Sequence, residues 1–139
     1  MNVKLMTKDD IENLKEIFED DNMIFEKSNI EMFLQTQNSY AFVLQTDEKV
    51  VGFAYGYGLT RLDGKVMFYL HSIGVLPEYQ NKGYGSELMK FIVSFAKEKD
   101  FSEIFVITDK ANVFACKLYE KFDLKNEIEN EIVYVKEFK

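Results

Sequence analysis

One cysteine, one histidine and one proline occur in a chain of 139 residues. The single thiol, Cys116, excludes an internal disulfide and any zinc site built on several cysteines. The single imidazole, His71, excludes His-rich metal centres and a two-histidine zinc motif, so no metal is expected. Pro77 stands alone and no Gly/Ser-rich linker divides the chain, whose length is that of one ordinary domain. The expectation is therefore one domain over residues 1–139. Basic residues are outnumbered, 17 against 24 acidic ones, for a formal net charge of −7. Arg61 is the one arginine and the lysines are scattered, so the basic face of a nucleic-acid binder is missing. No run reaches the ~18 apolar residues of a membrane span. The start of the chain, Met1 to Asp10, carries Lys4, Lys8, Asp9 and Asp10 and has no apolar signal region. A cytoplasmic protein with neither a nucleic-acid nor a membrane partner is the expectation.

What is present is a globular mixture, 47% hydrophobic and 29% charged. A chain of this length and composition buries enough surface to fold without a staple. Its acid excess suits a cationic small molecule through long-range attraction, and is equally the surface of a protein kept soluble by charge.

Val3 to Met6 reads as a strand, and Thr7 with Asp9 and Asp10 as a helix start. Ile11, Leu14, Ile17 and Phe18 recur at helical spacing until Glu19-Asp20-Asp21-Asn22 breaks the pattern. Ser28 with Glu31 three residues on reads as the capping box of a second helix, burying Ile30, Phe33 and Leu34. Tyr40 to Gln45, Val50 to Leu59 and Val66 to Val75 read as strands joined by turns, the second turn marked by Asp63-Gly64. Leu88, Phe91, Ile92, Phe95 and Ala96 then give the stripe of a core-facing helix. A short strand at Ile104 to Thr108, a helix through Ala115, Leu118, Tyr119 and Phe122, and a strand at Ile132 to Phe138 complete the order β-α-α-β-β-β-α-β-α-β. The helical crossover from Val66–Val75 to Ile104–Thr108 has the length of a βαβ unit, so those strands should be parallel. The fold class is α/β in the α+β mixed sense: a mixed central sheet with helices on both faces.

The most informative stretch runs from Leu70 to Met89. A strand ends at Val75, Gln80-Asn81-Lys82-Gly83-Tyr84-Gly85 follows, and a helix starts at once. Glycines at 83 and 85 permit unusual backbone angles and the close approach of a ligand. Amides from Lys82 to Ser86 at a helix N-terminus would hold phosphate through unpaired N–H groups and the helix dipole. A dinucleotide fingerprint would need glycine at position 88, which is Leu88, and a P-loop would need Gly-Lys-Ser/Thr, which does not occur.

Gln-x-x-Gly-x-Gly after a strand ending in Val-Leu-Pro resembles the acetyl-CoA loop of the GNAT acetyltransferase superfamily. Asn112-x-x-Ala115-x-x-Leu118-Tyr119-x-Lys121-Phe122 resembles that superfamily's helix after the fifth strand, and the element order matches along the whole chain. Within the superfamily, Ser28 to Phe33, Val51 to Gly56 and Asn126 to Val135 resemble the gentamicin-type aminoglycoside 3-N-acetyltransferases. Two positions depart from that pattern. Ser72 stands where those enzymes carry an aspartate, and Asp123-Leu124 where the superfamily has Gly-Phe. A related amine acetyltransferase is equally open.

The resemblance implies an acetyl-CoA-dependent N-acetyltransferase acting on a small cationic amine. Gln80, Asn81, Lys82, Gly83, Tyr84, Gly85 and Ser86 would hold the pyrophosphate. Ile73, Gly74 and Val75 would pair with the pantetheine arm, Gly74 marking a bulge, and Asn112 would complete the cofactor site. Tyr119 would be the general acid that protonates the departing thiolate, although its place on an apolar stripe also fits plain packing. His71 on the motif strand titrates in the range a base requires; an ordered water relay is the other route. Cys116 has nothing to activate it, which favours direct transfer over an acetyl-enzyme. The run Glu19-Asp20-Asp21 lies where the superfamily builds its acceptor pocket. A protein lysine or N-terminal acetyltransferase and a non-catalytic acetyl-CoA-binding module are the other classes. A homodimer is compatible with each.

Overall fold

The structure, a computed structural model, describes residues 1–47 and 49–139. The strands are β1 (Asn2–Leu5), β2 (Ser39–Thr46), β3 (Lys49–Thr60), β4 (Val66–Val75) and β5 (Glu103–Phe105), and the helices α1 (Lys15–Asp20), α2 (Lys27–Gln35), α3 (Tyr84–Glu98) and α4 (Val113–Lys121). They form one sheet in the order β1-β2-β3-β4-β5. The first three pairings are antiparallel and β4–β5 is parallel, as the crossover length requires. The mixed sheet with helices on both faces is the fold class the residue pattern implies.

Alternation along β3 sorts the two faces. Phe53, Tyr55 and Tyr57 meet α1 and α2, with Phe18 at 6.4 Å from Phe53 and Phe33 at 5.6 Å from Tyr55, ring centre to ring centre. Gly52, just before Phe53 and on the opposite side of the pleat, faces α3, where an added Cβ would lie 3.1 Å from Leu88. On that side Phe42, Phe68 and Phe95 close a triangle of edge-on rings with centres 5.3–6.4 Å apart. Such edge-to-face pairs add to the stabilisation that burial gives. The stripe of α3 buries Leu88, Met89, Ile92, Phe95 and Ala96, while Phe91 packs on the core partly exposed.

The first helix is divided. Lys8–Asn13 is a 3-10 helix and α1 follows from Lys15. The division turns on Asp10, which is buried and receives Lys4 Nζ at 2.6 Å, the Thr7 amide at 2.7 Å and Gln45 Nε2 at 3.3 Å. The capping box thus forms between Thr7 and Asp10, and not at Ser28: α2 begins two residues earlier than that cap would place it, at Lys27, after the extended Glu26. The acidic run does end α1, with Asn22 in the left-handed region at φ 55°.

Two further features differ from expectation. The bulge in β4 lies at His71 and not at Gly74, because Tyr55 pairs with Ser72 while the next residue, Gly56, pairs with Leu70. Gly74 stays in register with Phe53, and an added Cβ there would come within 2.8 Å of the Phe53 ring. Packing accounts for that glycine. At the other end of the chain, residues 132–138 form no strand among the described residues. β5 spans only three residues and pairs with β4 alone, and Ile132, Val133, Tyr134, Val135 and Phe138 stand exposed. No helix of the described residues is long and apolar enough to cross a membrane.

Candidate active site

β4 and β5 pair only from Met67–Tyr69 to Glu103–Phe105. Beyond that point β4 continues from Ser72 to Val75 with β3 on one side, and its other edge stands open. The parting strands, the loop after β4, α3 and α4 enclose a cleft of about 710 Å³. The topology makes this opening, since a three-residue parallel pairing cannot cover a ten-residue strand.

The loop that borders the cleft is held by its own side chains. Gln80 Nε2 donates to the Val75 carbonyl at 2.9 Å, tying the loop back to the strand end. Asn81 and Gly83 both take left-handed backbone, at φ 61° and 86°. Gly83 is the residue before α3, and no side chain caps that helix. An added Cβ at Gly83 would touch nothing within 4 Å, so backbone conformation selects glycine there. Gly85 differs: its φ is ordinary, and an added Cβ would lie 3.5 Å from Leu118 at the cleft wall. The fold has room for a methyl group at Gly85. The first-turn amides of α3 therefore meet the cleft with no protein cap, the arrangement that binds anions. Lys121 Nζ reaches Ser86 Oγ at 3.1 Å, and Lys117 also lines the cleft, so positive charge lies beside that helix end.

α4 supplies the remaining wall. Asn112 caps it, its side-chain oxygen accepting from the Ala115 amide at 3.1 Å. Tyr119 is buried, 7% exposed, yet it lines the cleft. Burial, with a smaller contribution from Cys116, pushes its phenol above the ordinary value, so the hydroxyl keeps its proton through the neutral range. His71 is exposed at the bulge, and its Nδ1 lies 3.0 Å from the Tyr69 hydroxyl.

The cleft therefore gathers His71, Ile73, Gly74, Val75, Gln80, Asn81, Gly83, Tyr84, Gly85, Ser86, Asn112 and Tyr119. Lys82 is not among its lining residues; its ammonium lies over the Tyr79 ring at 5.6 Å, with Lys49 at the same distance from that ring. Asp20 and Asp21 lie at the end of α1, against the opposite sheet face. Phe114 and Lys117, which no motif marks, line the cleft together with Lys121 of the helix motif. Their spacing of three and four places them on one stripe with Leu118, and that periodicity was the available signal. Among the described residues no group of three or more His, Cys, Asp or Glu side chains could hold a metal ion.

Solved structures share the architecture. An aminoglycoside acetyltransferase from an uncultured soil metagenomic sample superposes with a TM-score of 0.79 at 25% identity, over 99% of this chain and 95% of that one. The aminoglycoside N-acetyltransferase AAC(6')-Iy in complex with CoA gives 0.80 at 20% identity, over 99% of this chain and 100% of that one. A ribosomal-protein-alanine N-acetyltransferase from Brucella melitensis biovar Abortus 2308 gives 0.80 at 20% identity, with the same coverage. The last two likenesses are of fold alone. A search of curated proteins finds no sequence match. The acetyltransferase (GNAT) family profile matches residues 10–124, the span from the buried Asp10 to the end of α4 and just beyond. By that match the chain belongs to the acetyltransferase (GNAT) family, whose members are acyltransferases that use acetyl-CoA.

Proposed function

We propose that this chain transfers acetyl from acetyl-CoA to a primary amine of a small cationic acceptor, polyamine-like or aminoglycoside-like, by direct attack in a ternary complex. One observation carries the reading. A single cleft brings together uncapped helix amides and lysines suited to an anion, an open strand edge, a phenol held protonated, and an imidazole. The residues fit the cofactor. The α3 amides from Gly83 to Ser86, with Lys121 beside them, would hold the pyrophosphate, and the edge of β4 at Ile73 to Val75 would pair with the pantetheine amides. Gln80 and Asn112 act as braces, holding the loop and the start of α4.

When bound, acetyl-CoA supplies an acyl thioester whose leaving group is a thiolate. The chain's own residues manage protons around it. His71 takes, directly or through water, the proton that an ammonium must lose before its nitrogen can attack. Tyr119 donates its phenolic proton to the departing sulfur, and the second proton shed by nitrogen restores the phenol. Tyr69 orients the imidazole through the contact to Nδ1. Aminoglycoside 3-N specificity rests only on the sequence resemblance described above.

The test is thiol release from acetyl-CoA against a panel of polyamines, aminoglycosides and peptides. Turnover with small polycations is the expected result. Release with peptides only would make the chain a protein acetyltransferase. A melting-temperature rise with acetyl-CoA and no turnover on any amine would make it a binding module.

A further inference from the structure

Four rings close a skewed square on the sheet face that carries α1 and α2. Its Tyr57–His71 diagonal, at 6.3 Å, is no longer than its longer sides, so the rings pack on one another and offer a filled aromatic surface. Tyr55 and Tyr57 come from β3, Tyr69 and His71 from β4. Successive ring centres lie 6.4 Å (Tyr55–Tyr57), 6.3 Å (Tyr57–Tyr69), 5.5 Å (Tyr69–His71) and 5.2 Å (His71–Tyr55) apart. Phe33 of α2 packs edge-on against Tyr55 at 5.6 Å and Tyr57 at 5.8 Å. The bulge creates the square: by displacing His71 from the ladder it lets the imidazole join three tyrosines instead of a cross-strand partner.

This square is not core filling. The opposite face fills its core with phenylalanines, Phe42 and Phe68 being 0% exposed, whereas the square's tyrosines are half-buried and His71 is exposed. Nor does it serve an internal cation. Among the described residues the ammonium–ring pairs use Tyr40, Tyr79, Phe95, Phe122 and Phe138, none of them in the square. Asp21 adds negative potential from the end of α1, near enough to contribute, after burial and Tyr57, to raising the Tyr55 phenol. Aromatic faces and one acidic flank suit an organic cation. His71 belongs both to the square and to the cleft, so a cation over the rings sits next to the reacting region.

We infer that the Tyr55, Tyr57 and Tyr69 rings, beside His71, seat a positive end of the acceptor remote from the reacting amine and select aliphatic diamines and polyamines over polyhydroxylated aminoglycosides. The inference rests on the acetyl-transfer reading and names its acceptor class. A polyamine carries compact ammoniums on CH₂ chains, so the chain lies along ring faces while an ammonium meets a ring face beside Asp21. An aminoglycoside presents rigid, hydroxyl-bearing rings with little CH₂ surface to lie on ring faces.

The test pairs a primary amine carrying a trimethylammonium group with its neutral tert-butyl isostere, which has the same shape and no charge. Wild type should favour the cation by about 2- to 30-fold in kcat/KM, the range that cation–π attraction spans. Tyr57→Leu should bring that ratio towards one, and Tyr57→Phe, which keeps the ring, should preserve it. A merely structural tyrosine would lower both rates and leave the ratio alone. Propane-1,3-bis(trimethylammonium), which has no N–H to acetylate, provides a readout free of turnover. The chain has no tryptophan, so tyrosine emission reports its binding directly. The emission should change in wild type and not in Tyr57→Leu. Amine turnover with equal rates for cation and isostere would overturn the square and leave acetyl transfer standing. Probe binding that Tyr57→Leu abolishes, with no turnover on any amine, would uphold the square and overturn acetyl transfer.

Discussion

Tyr119 carries two signals at one residue, and only one of them is sequence-borne. Its spacing from Asn112 and Ala115 places it on α4, but the burial that holds its proton depends on how α4 meets the sheet. The proposed role gives a direct expectation. Tyr119→Phe keeps the ring and should lower kcat by roughly 10², within the range of general acid catalysis, with acetyl-CoA affinity little changed. The pH profile supplies a second mark. Because the folded phenol titrates above its ordinary value of 10.0, the wild-type rate should fall only above that pH. The same shift sets a stability sign: the unfolded chain loses this proton first, so the phenol's contribution is intact below 10.0 and is lost as pH rises further. Stopped assays from pH 6 to 11 check the catalytic limb, which Tyr119→Phe should lack. A variant with wild-type turnover would remove the acid role. His71 shows the opposite case of legibility. Its identity singled it out, but its place at a bulge followed from a slip in pairing between β3 and β4 that no local pattern encodes.

At the scale of elements, α3 was the most legible part of the chain. Its apolar stripe set its buried face, and the glycines set its start. The two glycines now separate into different jobs. Gly83→Val would place a β-branched residue at φ 86°, a strain on the order of 1–3 kcal/mol, and should both lower the melting temperature and remove the rise that acetyl-CoA gives. Gly85→Ala meets only an ordinary contact with Leu118, so the free protein should melt at or slightly above the wild-type temperature. Its acetyl-CoA shift should shrink, because the new methyl group stands at the cleft wall. An unchanged shift in Gly85→Ala would show that the ligand passes elsewhere. Thr7 to Asp10 was legible as a helix start, but its 3-10 form was not. The Asp10 carboxylate at its core is held by Lys4 of β1 and Gln45 of β2, partners that no local pattern connects to it. Asp10→Ala leaves the Thr7 amide without its acceptor, at a cost of about 1–3 kcal/mol and roughly 3–10 °C in melting temperature by calorimetry. The strand expected at Ile132 to Phe138 does not form among the described residues: β-rich side chains favour a strand, but only a paired ladder supplies its hydrogen bonds, and these residues join none.

Across the whole molecule the net charge of −7 is not evenly spread. Lys117 and Lys121 stand at the cleft beside the start of α3, where the polyanionic cofactor is proposed to bind. Asp20 and Asp21 stand at the end of α1 on the other face of the sheet, next to the tyrosines proposed to seat a cation. Burial, and then Asp20 beside it, raises the carboxyl of Asp21, the mark of two like charges held together and partly shielded from water. That pairing is unfavourable for the chain alone and becomes favourable when a cation arrives. If the acidic pair steers the acceptor, Asp20→Asn with Asp21→Asn should lower kcat/KM for cationic amines at low salt, chiefly through KM. The deficit should narrow as salt rises, since exposed charges are screened beyond about 10 Å at 0.1 M. The KM for acetyl-CoA should stay constant, because the lysines and amides that face it lie on the far side of the sheet. Steady-state rates at 20 mM and 300 mM salt, taken for both substrates, resolve the two effects. An acceptor deficit that persists undiminished at high salt would mean direct contact in place of steering, and no deficit at low salt would leave the pair as solvated surface.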